Sequence, residues 1–273
     1  VRNKSYLNPQ WSALYNEDHM PIDLIISPEL EVARAIGRGL DFPGTFEVIP
    51  FANKMIQLVG IRCKAKASIL NTPLRLLENL FPELNLSILF IVRGDVGFVP
   101  TSSDQLLDGD EAYLLISNEH LMAAIEAFGF DEQRSQRLLI LGGGNVGLCL
   151  AEEVEAHHPE ISLMLIEHEK DRAVYVANQL NRTVVLRGDA LDREILREAN
   201  AKITHKVVAV TSDDKVNILA SLLAKRMGAE QAMALINSSS YSSLITSLGI
   251  DSLISPRALT VSSILQYVRR GRI

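Results

Sequence analysis

The chain has 273 residues, 47% of them hydrophobic and 22% charged, with a formal net charge of −6. This length and apolar content suffice for two packed domains, and the acidic balance argues against a broad nucleic-acid-binding face. No apolar run approaches the roughly 20 residues of a membrane-spanning helix, and Val1-Arg2-Asn3-Lys4 leads into polar residues instead of a signal-peptide core.

The first forty residues make sense beside the last forty. Ile22-Asp23-Leu24-Ile25-Ile26-Ser27-Pro28 precedes a helical stretch, Glu29 to Leu40. Ile250-Asp251-Ser252-Leu253-Ile254-Ser255-Pro256 precedes another, Arg257 to Gly271, with Arg269, Arg270 and Arg272 near its C-terminal end, where cations suit the helix dipole. Upstream, Val1-Arg2-Asn3-Lys4-Ser5-Tyr6 echoes Ile236 to Tyr241. In both copies a short β-rich run ends at Ser-Pro, where Ser can cap a helix and Pro can take its first position. A repeat of such long period is one large unit used twice. The expectation is that residues 1–42 are the tail of a first domain, that 131–273 hold a second one whole, and that the chain, opening at Val1, is cut from a longer one. The apolar faces of the two helices after Ser-Pro are expected to meet another subunit.

Residues 43–130 read as a different module, small and α+β. Strands are expected at Thr45–Phe51, Gln57–Lys64, Leu86–Val92, Val96–Val99 and Ala112–Ile116, and helices at Leu74–Leu80 and Glu119–Phe128. Gly94-Asp95 offers a hairpin turn, and Leu107-Asp108-Gly109-Asp110 a second turn. The module has no clustered carboxylates, no His/Cys group and no nucleophile beside a base, so no catalytic chemistry is assigned to it. Cys63 here, and Cys149 beyond, stand singly in apolar surroundings and read as buried thiols of a reducing compartment.

After the polar linker 131–136, strands and helices alternate. Strands are expected at Leu138–Leu141, Ile161–Ile166, Thr183–Arg187, Val207–Val210 and Gln231–Leu235, with helices at Asn145–Ala156, Lys170–Leu180, Leu191–Ala199 and Lys215–Met227. Strict alternation implies a doubly wound parallel sheet of the Rossmann-like α/β class, whose ligands lie beyond the carboxyl ends of the strands. The first turn carries Gly142, Gly144 and Gly147 as G-x-G-x-x-G: the first for a tight turn, the second for close approach of a pyrophosphate, the third for helix–sheet packing. Glu167 ends the second strand, twenty positions after Gly147, where a carboxylate can accept from ribose hydroxyls. The bland reading is an ordinary strand–turn–helix with a solvated Glu. His157, His158 and His168 are read as solvated and not as a metal site, and Asp213-Asp214 as complementing a helix dipole.

The glycine stretch LLILGGGNVGLCLAEEV, Glu167, Arg187-Gly188-Asp189-Ala190, VVAVTSDDKVNILASLLAKRMGA and the Ser-Pro tail together resemble the regulator-of-potassium-conductance (RCK) family. The module with VRGDVGFVPTSSDQLLDGDEAYLL resembles that family's C-terminal subdomain. The resemblance covers the whole chain and implies a regulator without turnover, binding NAD(H) or ATP/ADP. It implies dimers or tetramers beneath a membrane-embedded potassium channel or transporter subunit, at the inner face of the cell membrane, with no nucleic acid, catalytic residue or metal. On it, Gly142, Gly144, Asn145, Val146 and Gly147 contact the phosphates and Glu167 the ribose. Asp189 and Ala190 flank the adenine, and Thr211, Ser212 and Asp213 line the far side. One departure stands out: many relatives end the fifth strand with an Arg that reaches the phosphates, where this chain has Leu235, Arg2 holding the matching place in the first repeat. The rival reading is a nicotinamide-dependent dehydrogenase, which lacks here a Tyr-x-x-x-Lys pair at any of the six tyrosines. A third is a structural tandem fold with a vestigial site.

Overall fold

The computed structural model describes residues 25–42, 44–51, 55–94, 96–130, 137–241 and 248–270. They fall into two compact units, one made of residues up to Gly37 together with those from Gln136 onward, the other of Arg38 to Ser135. Helix α1 (Pro28–Asp41) begins at the proline after Ser27, as expected. The stretch before Ile25, including Arg2 and most of the first repeat, lies outside the described residues, as do the linker 131–136 and Asp95.

The 38–135 unit is built on an antiparallel sheet. Its strands are β1 (Thr45–Phe51), β2 (Ile56–Arg62), β3 (Leu86–Arg93), β4 (Val96–Phe98) and β5 (Glu111–Ser117), in spatial order β1-β2-β5-β3-β4. Alternation along β5 buries Ala112, Leu114 and Ile116 on one face, where α2 (Leu74–Leu80) adds Leu77 and α3 (Leu121–Ala127) adds Leu121, Ala124 and Ile125. Among the described residues of this unit, Asp110 is the one fully buried acid, 1% exposed. Arg93 holds it with a two-pronged ion pair, Nε and Nη2 donating at 2.9 and 2.7 Å, and the Leu107 N–H donates to it as well. A buried carboxylate is tolerable only when paired in this way. Burial, reinforced by Asp110 and Asp108, pushes the Cys63 thiol up to about 12, so it stays protonated and inert, in keeping with the reading from sequence.

The other unit carries six parallel strands: β6 (Arg137–Leu141), β7 (Ser162–Glu167), β8 (Val184–Arg187), β9 (Lys206–Ala209), β10 (Gln231–Leu235) and β11 (Ser252–Ile254). Helices α4 (Asn145–His157), α5 (Lys170–Gln179), α6 (Arg193–Glu198) and α7 (Asp214–Met227) connect them, and α8 (Pro256–Arg270) follows β11. The spatial order β8-β7-β6-β9-β10-β11 is the doubly wound order 3-2-1-4-5-6. Four of the five residues of β6, Leu138 to Leu141, are buried, as a central parallel strand covered on both faces must be. Leu139, Leu141, Val207 and Ala209 pack with Leu196, Ala220 and Ala224 from α6 and α7 in one core. Among the described residues no helix is long and apolar enough to cross a membrane.

The two Ser-Pro copies start their helices differently. Ser255 caps α8, its hydroxyl accepting from the Ala258 N–H at 3.3 Å, whereas the Ser27 hydroxyl donates to Glu29 at 2.8 Å. Helix α8 also touches α1, the Ser263 hydroxyl donating to Glu31. The solvated reading of His158 is corrected: it is 6% exposed, at the C-terminal end of α4 beside Gly37, while His157 is exposed. The helix ends one residue later than expected, at His157, with His158 as its C-cap.

Near the end of α4, Glu155 anchors the turn before β8. It accepts from the N–H groups of Asn181, Arg182 and Thr183 and from the Thr183 hydroxyl. Burial alone would raise its pKa, but these four donors overcome that and bring it down to about 2 from 4.5. A carboxyl held low in the folded state stabilises fully above its unfolded pKa and loses that contribution as pH falls through its folded pKa. Glu155→Gln should therefore cost about 1–2 kcal/mol at pH 7. Urea melts of both proteins should show the gap closing between about pH 4.5 and pH 2; a gap independent of pH would contradict this role.

Candidate functional site

The strand order reverses between β6 and β9, and the chain leaves the sheet there on both sides. Leu141 pairs with Ile166 on one flank and Ala209 on the other. The next residues stay stitched together: the Gly142 N–H donates to Ile166 O, and the Val210 N–H to Leu141 O, each at 2.8 Å. Gly142 turns with φ +107°, a conformation open to glycine, and a Cβ there would crowd the Thr211 backbone nitrogen at 3.0 Å. The carboxyl-end crevice therefore has Gly142 and Thr211 as its floor.

Each glycine of the loop has a separate geometric reason. A Cβ on Gly144 would meet nothing within 4 Å, so open space lies over it. A Cβ on Gly147 would overlap the Gly142 carbonyl oxygen, with the Ile140 side chain next at 3.4 Å. Loop closure, more than the helix–sheet packing expected from sequence, forbids a side chain at 147. Gly143, the middle residue, was not singled out by the motif. A Cβ there would lie 3.0 Å from a Glu167 carboxylate oxygen and 3.2 Å from Leu165 Cδ2.

Glu167 turns toward this loop. Its Oε2 accepts from the Gly143 N–H at 2.6 Å and its Oε1 from the Glu169 N–H at 2.8 Å. A carboxylate offers about four lone-pair positions, so two remain for further donors such as ribose hydroxyls. The helices of the sheet then divide in how they begin. Helices α5, α6 and α7 are capped by the carboxylates of Glu169, Asp192 and Asp213. Helix α4 begins at Gly144 with no side-chain cap and no acid in its first turn. Its leading N–H groups, those of Asn145, Val146 and Gly147, have no acceptor within the helix and carry the positive end of its dipole. Such an N-terminus fits a phosphate, and with the bare Gly144 and the facing Glu167 the residues present suit a phosphate-bearing nucleotide.

The remaining expected residues line the same end of the sheet, in varied roles. The Asp189 carboxylate accepts from the Leu191 N–H, and Ala190 packs its methyl in the core with Leu196. The Thr211 hydroxyl and N–H both donate to Asn217, while Ser212 and Asp213 are exposed at the start of α7. Asp214, expected to serve the helix dipole, accepts from the N–H groups of Asn237 and Ser238 and so ties α7 to the loop after β10. Leu235 is buried and presents only its carbonyl oxygen, which accepts from Asn217. Among the described residues no group of three or more His, Cys, Asp or Glu could hold a metal ion.

Two residues of the site went unmarked in the sequence. Asn217 is fully buried and makes four hydrogen bonds: it accepts from the Thr211 N–H and hydroxyl and donates to the Thr211 and Leu235 carbonyls. A lone Asn on the apolar face of a helix was the available signal. Arg172, on the first turn of α5, donates from Nε to the Gly143 carbonyl at 2.7 Å and from Nη2 to Asn145 Oδ1 at 3.4 Å. Its guanidinium lies over the Tyr175 ring, 4.9 Å from the centroid. Nothing in spacing alone sets Arg172 apart from the chain's other arginines.

Fold and site together define a doubly wound Rossmann-type domain in a chain that also carries a small α+β unit. The TrkA-N domain model matches residues 138–256. Over all 273 residues the chain is 41% identical to the Trk system potassium uptake protein TrkA of Azorhizobium caulinodans and 33% identical to that of Halomonas elongata. It spans 60% and 59% of the length of these two relatives. Among solved structures, the GsuK channel bound to NAD shares the fold at a TM-score of 0.61 and 16% identity, over 99% of this chain and 46% of that one. The GsuK RCK domain shares it at 0.58 and 18%, over 88% and 50%. Residues 138–256 thus match a TrkA-N domain, and the whole chain is similar in sequence to about three fifths of the TrkA proteins.

Proposed function

We propose that this chain is the nucleotide-sensing part of a cytosolic regulatory subunit of a bacterial potassium uptake system. It binds NAD(H), or ATP and ADP, at the carboxyl end of β6 and performs no turnover. The reading rests on one observation: the only helix of α4–α7 without a carboxylate cap opens beneath bare Gly144 and faces Glu167. Gly142, Gly144, Asn145, Val146 and Gly147 hold the phosphates, and Glu167 accepts from the adenosine ribose. Asp189 and Ala190 border the adenine, and Thr211, Ser212 and Asp213 close the opposite wall. In this role ligand binding biases one subunit arrangement over another, a coupling typically of about 1–3 kcal/mol. The partner is a membrane-embedded potassium channel subunit of the TrkH or TrkG type, which holds the oligomer at the inner face of the membrane. In this reading residues 1–42 close a first nucleotide domain, 43–130 are a C-subdomain and 131–273 a second nucleotide domain.

Glu167 favours an unsubstituted ribose, since the extra phosphate of NADP(H) would meet a carboxylate. Calorimetric titration should show NADH, NAD, ATP or ADP binding, with NADPH weaker than NADH. Glu167→Ala should weaken NADH binding about tenfold, the scale of a lost charge-assisted hydrogen bond. Because Glu167 also braces Gly143, the ligand-free melting temperature of the variant is measured beside it. Absence of binding by the unaltered chain to all four nucleotides would remove the reading.

A further inference from the structure

We propose that Arg172 is the phosphate-facing cation of this site. The inference rests on the nucleotide reading above and deepens it. Arg172 and Glu167 come from the same β7–α5 segment and grip the two backbone groups of one residue, Gly143: the carboxylate takes its N–H and the guanidinium its carbonyl. The second guanidinium bond goes to Asn145, the first residue of α4. The charged group therefore bonds on both sides of Gly144, the loop glycine with open space above it.

Two of the five guanidinium N–H donors are used in these bonds, and three remain for a ligand. The two are unequal. The Nε bond to Gly143 is short and fixes the side chain, and the Nη2 bond to Asn145, at 3.4 Å, is long and easily exchanged for a phosphate oxygen. Tyr175 backs the guanidinium plane and limits its swing. Charge balance points the same way. The acidic side chains at this end of the sheet include Glu167, Glu169 and Asp213, and the start of α4 supplies only about half a unit of positive charge. A diphosphate needs more than that. The rigid fork of an arginine can meet phosphate oxygens while anchored at Nε, which the single ammonium of a lysine cannot do.

The test is calorimetry on the full chain with adenosine, AMP and ADP, at low and high salt, for the unaltered protein, Arg172→Gln and Arg172→Lys. Ligand-free melting curves are recorded for each. Arg172→Gln is expected to lose about tenfold or more in ADP affinity, to change adenosine affinity less than about twofold, and to flatten the salt dependence of ADP binding. Arg172→Lys should fall between the two. An equal loss for adenosine and ADP would place Arg172 on the base or make it only a brace of the loop, and the proposal would fall. Unchanged ADP affinity would overturn it as well. If Arg172→Gln does not fold, the ADP-to-adenosine ratio of Arg172→Lys decides in the same way. Failure of the unaltered chain to bind ADP is a separate result that overturns this proposal, and the nucleotide reading itself falls only if NADH, NAD and ATP also fail to bind.

Discussion

Gly147→Ala should abolish nucleotide binding and lower stability by about 3 kcal/mol or more, the upper range for overpacking. The added methyl would occupy the place of the Gly142 carbonyl oxygen, a backbone atom that cannot swing aside. Relief requires moving the turn itself, and that turn is tied down by the Gly142 N–H bond to Ile166 and by the Thr211 backbone at its back. The leading N–H groups of α4 would then be aimed elsewhere. Gly144→Ala makes the useful contrast, since a methyl there meets no protein atom and the extended backbone of Gly144 is open to alanine, at a cost of about 1 kcal/mol or less for the changed N-cap. That variant should fold like the unaltered chain and lose chiefly affinity. Chemical denaturation and calorimetry of the pair separate the two effects, and a Gly147→Ala protein of normal stability would contradict the loop geometry.

Asn217→Leu should cost about 3–5 kcal/mol, more than almost any other single change on α7. Leucine matches asparagine closely enough in size to fill the site, so the loss comes from hydrogen bonding. The Thr211 N–H and hydroxyl and the carbonyls of Thr211 and Leu235 would lose their partner inside the protein. Each orphaned buried group costs about 1–3 kcal/mol, with partial relief as Thr211 turns to water. Because Thr211 backs onto Gly142, the damage should spread to the glycine loop and weaken ligand binding too. Thermal melts and NADH titration of Asn217→Leu and Asn217→Asp test this. A change of less than about 1 kcal/mol would show that Asn217 is not the link between α7, β10 and the crevice.

Most elements could be read in advance because their signals are local. The apolar run of β6, the turn glycines and the 3.6-residue pattern of α4 or α7 all lie within a window of fewer than twenty residues. The expected bounds of β1, α2 and β10 coincide with the observed ones, and the other helix ends shift by at most two residues, as fraying ends do. His158 shows where such reading stops. Whether a histidine just past a helix end meets water or protein depends on what packs beside it, and Gly37, far away in the chain, does so.

The site divides along the same line. Alternation, the glycine spacing and the acid closing the second strand are properties of the chain in order, and by themselves they determined a doubly wound sheet with its crevice at Gly142 and Glu167. Tertiary structure alone decided how that crevice is held. Glu167 and Arg172 on Gly143, Asn217 under Thr211 and Leu235, and Glu155 beneath the turn to β8 are hydrogen bonds that mostly span many residues. Their partners meet only because parallel strands set β7 and β9 on either side of β6. Periodicity specifies which face of an element is buried. It does not specify which polar group stands opposite another once the sheet has closed around them.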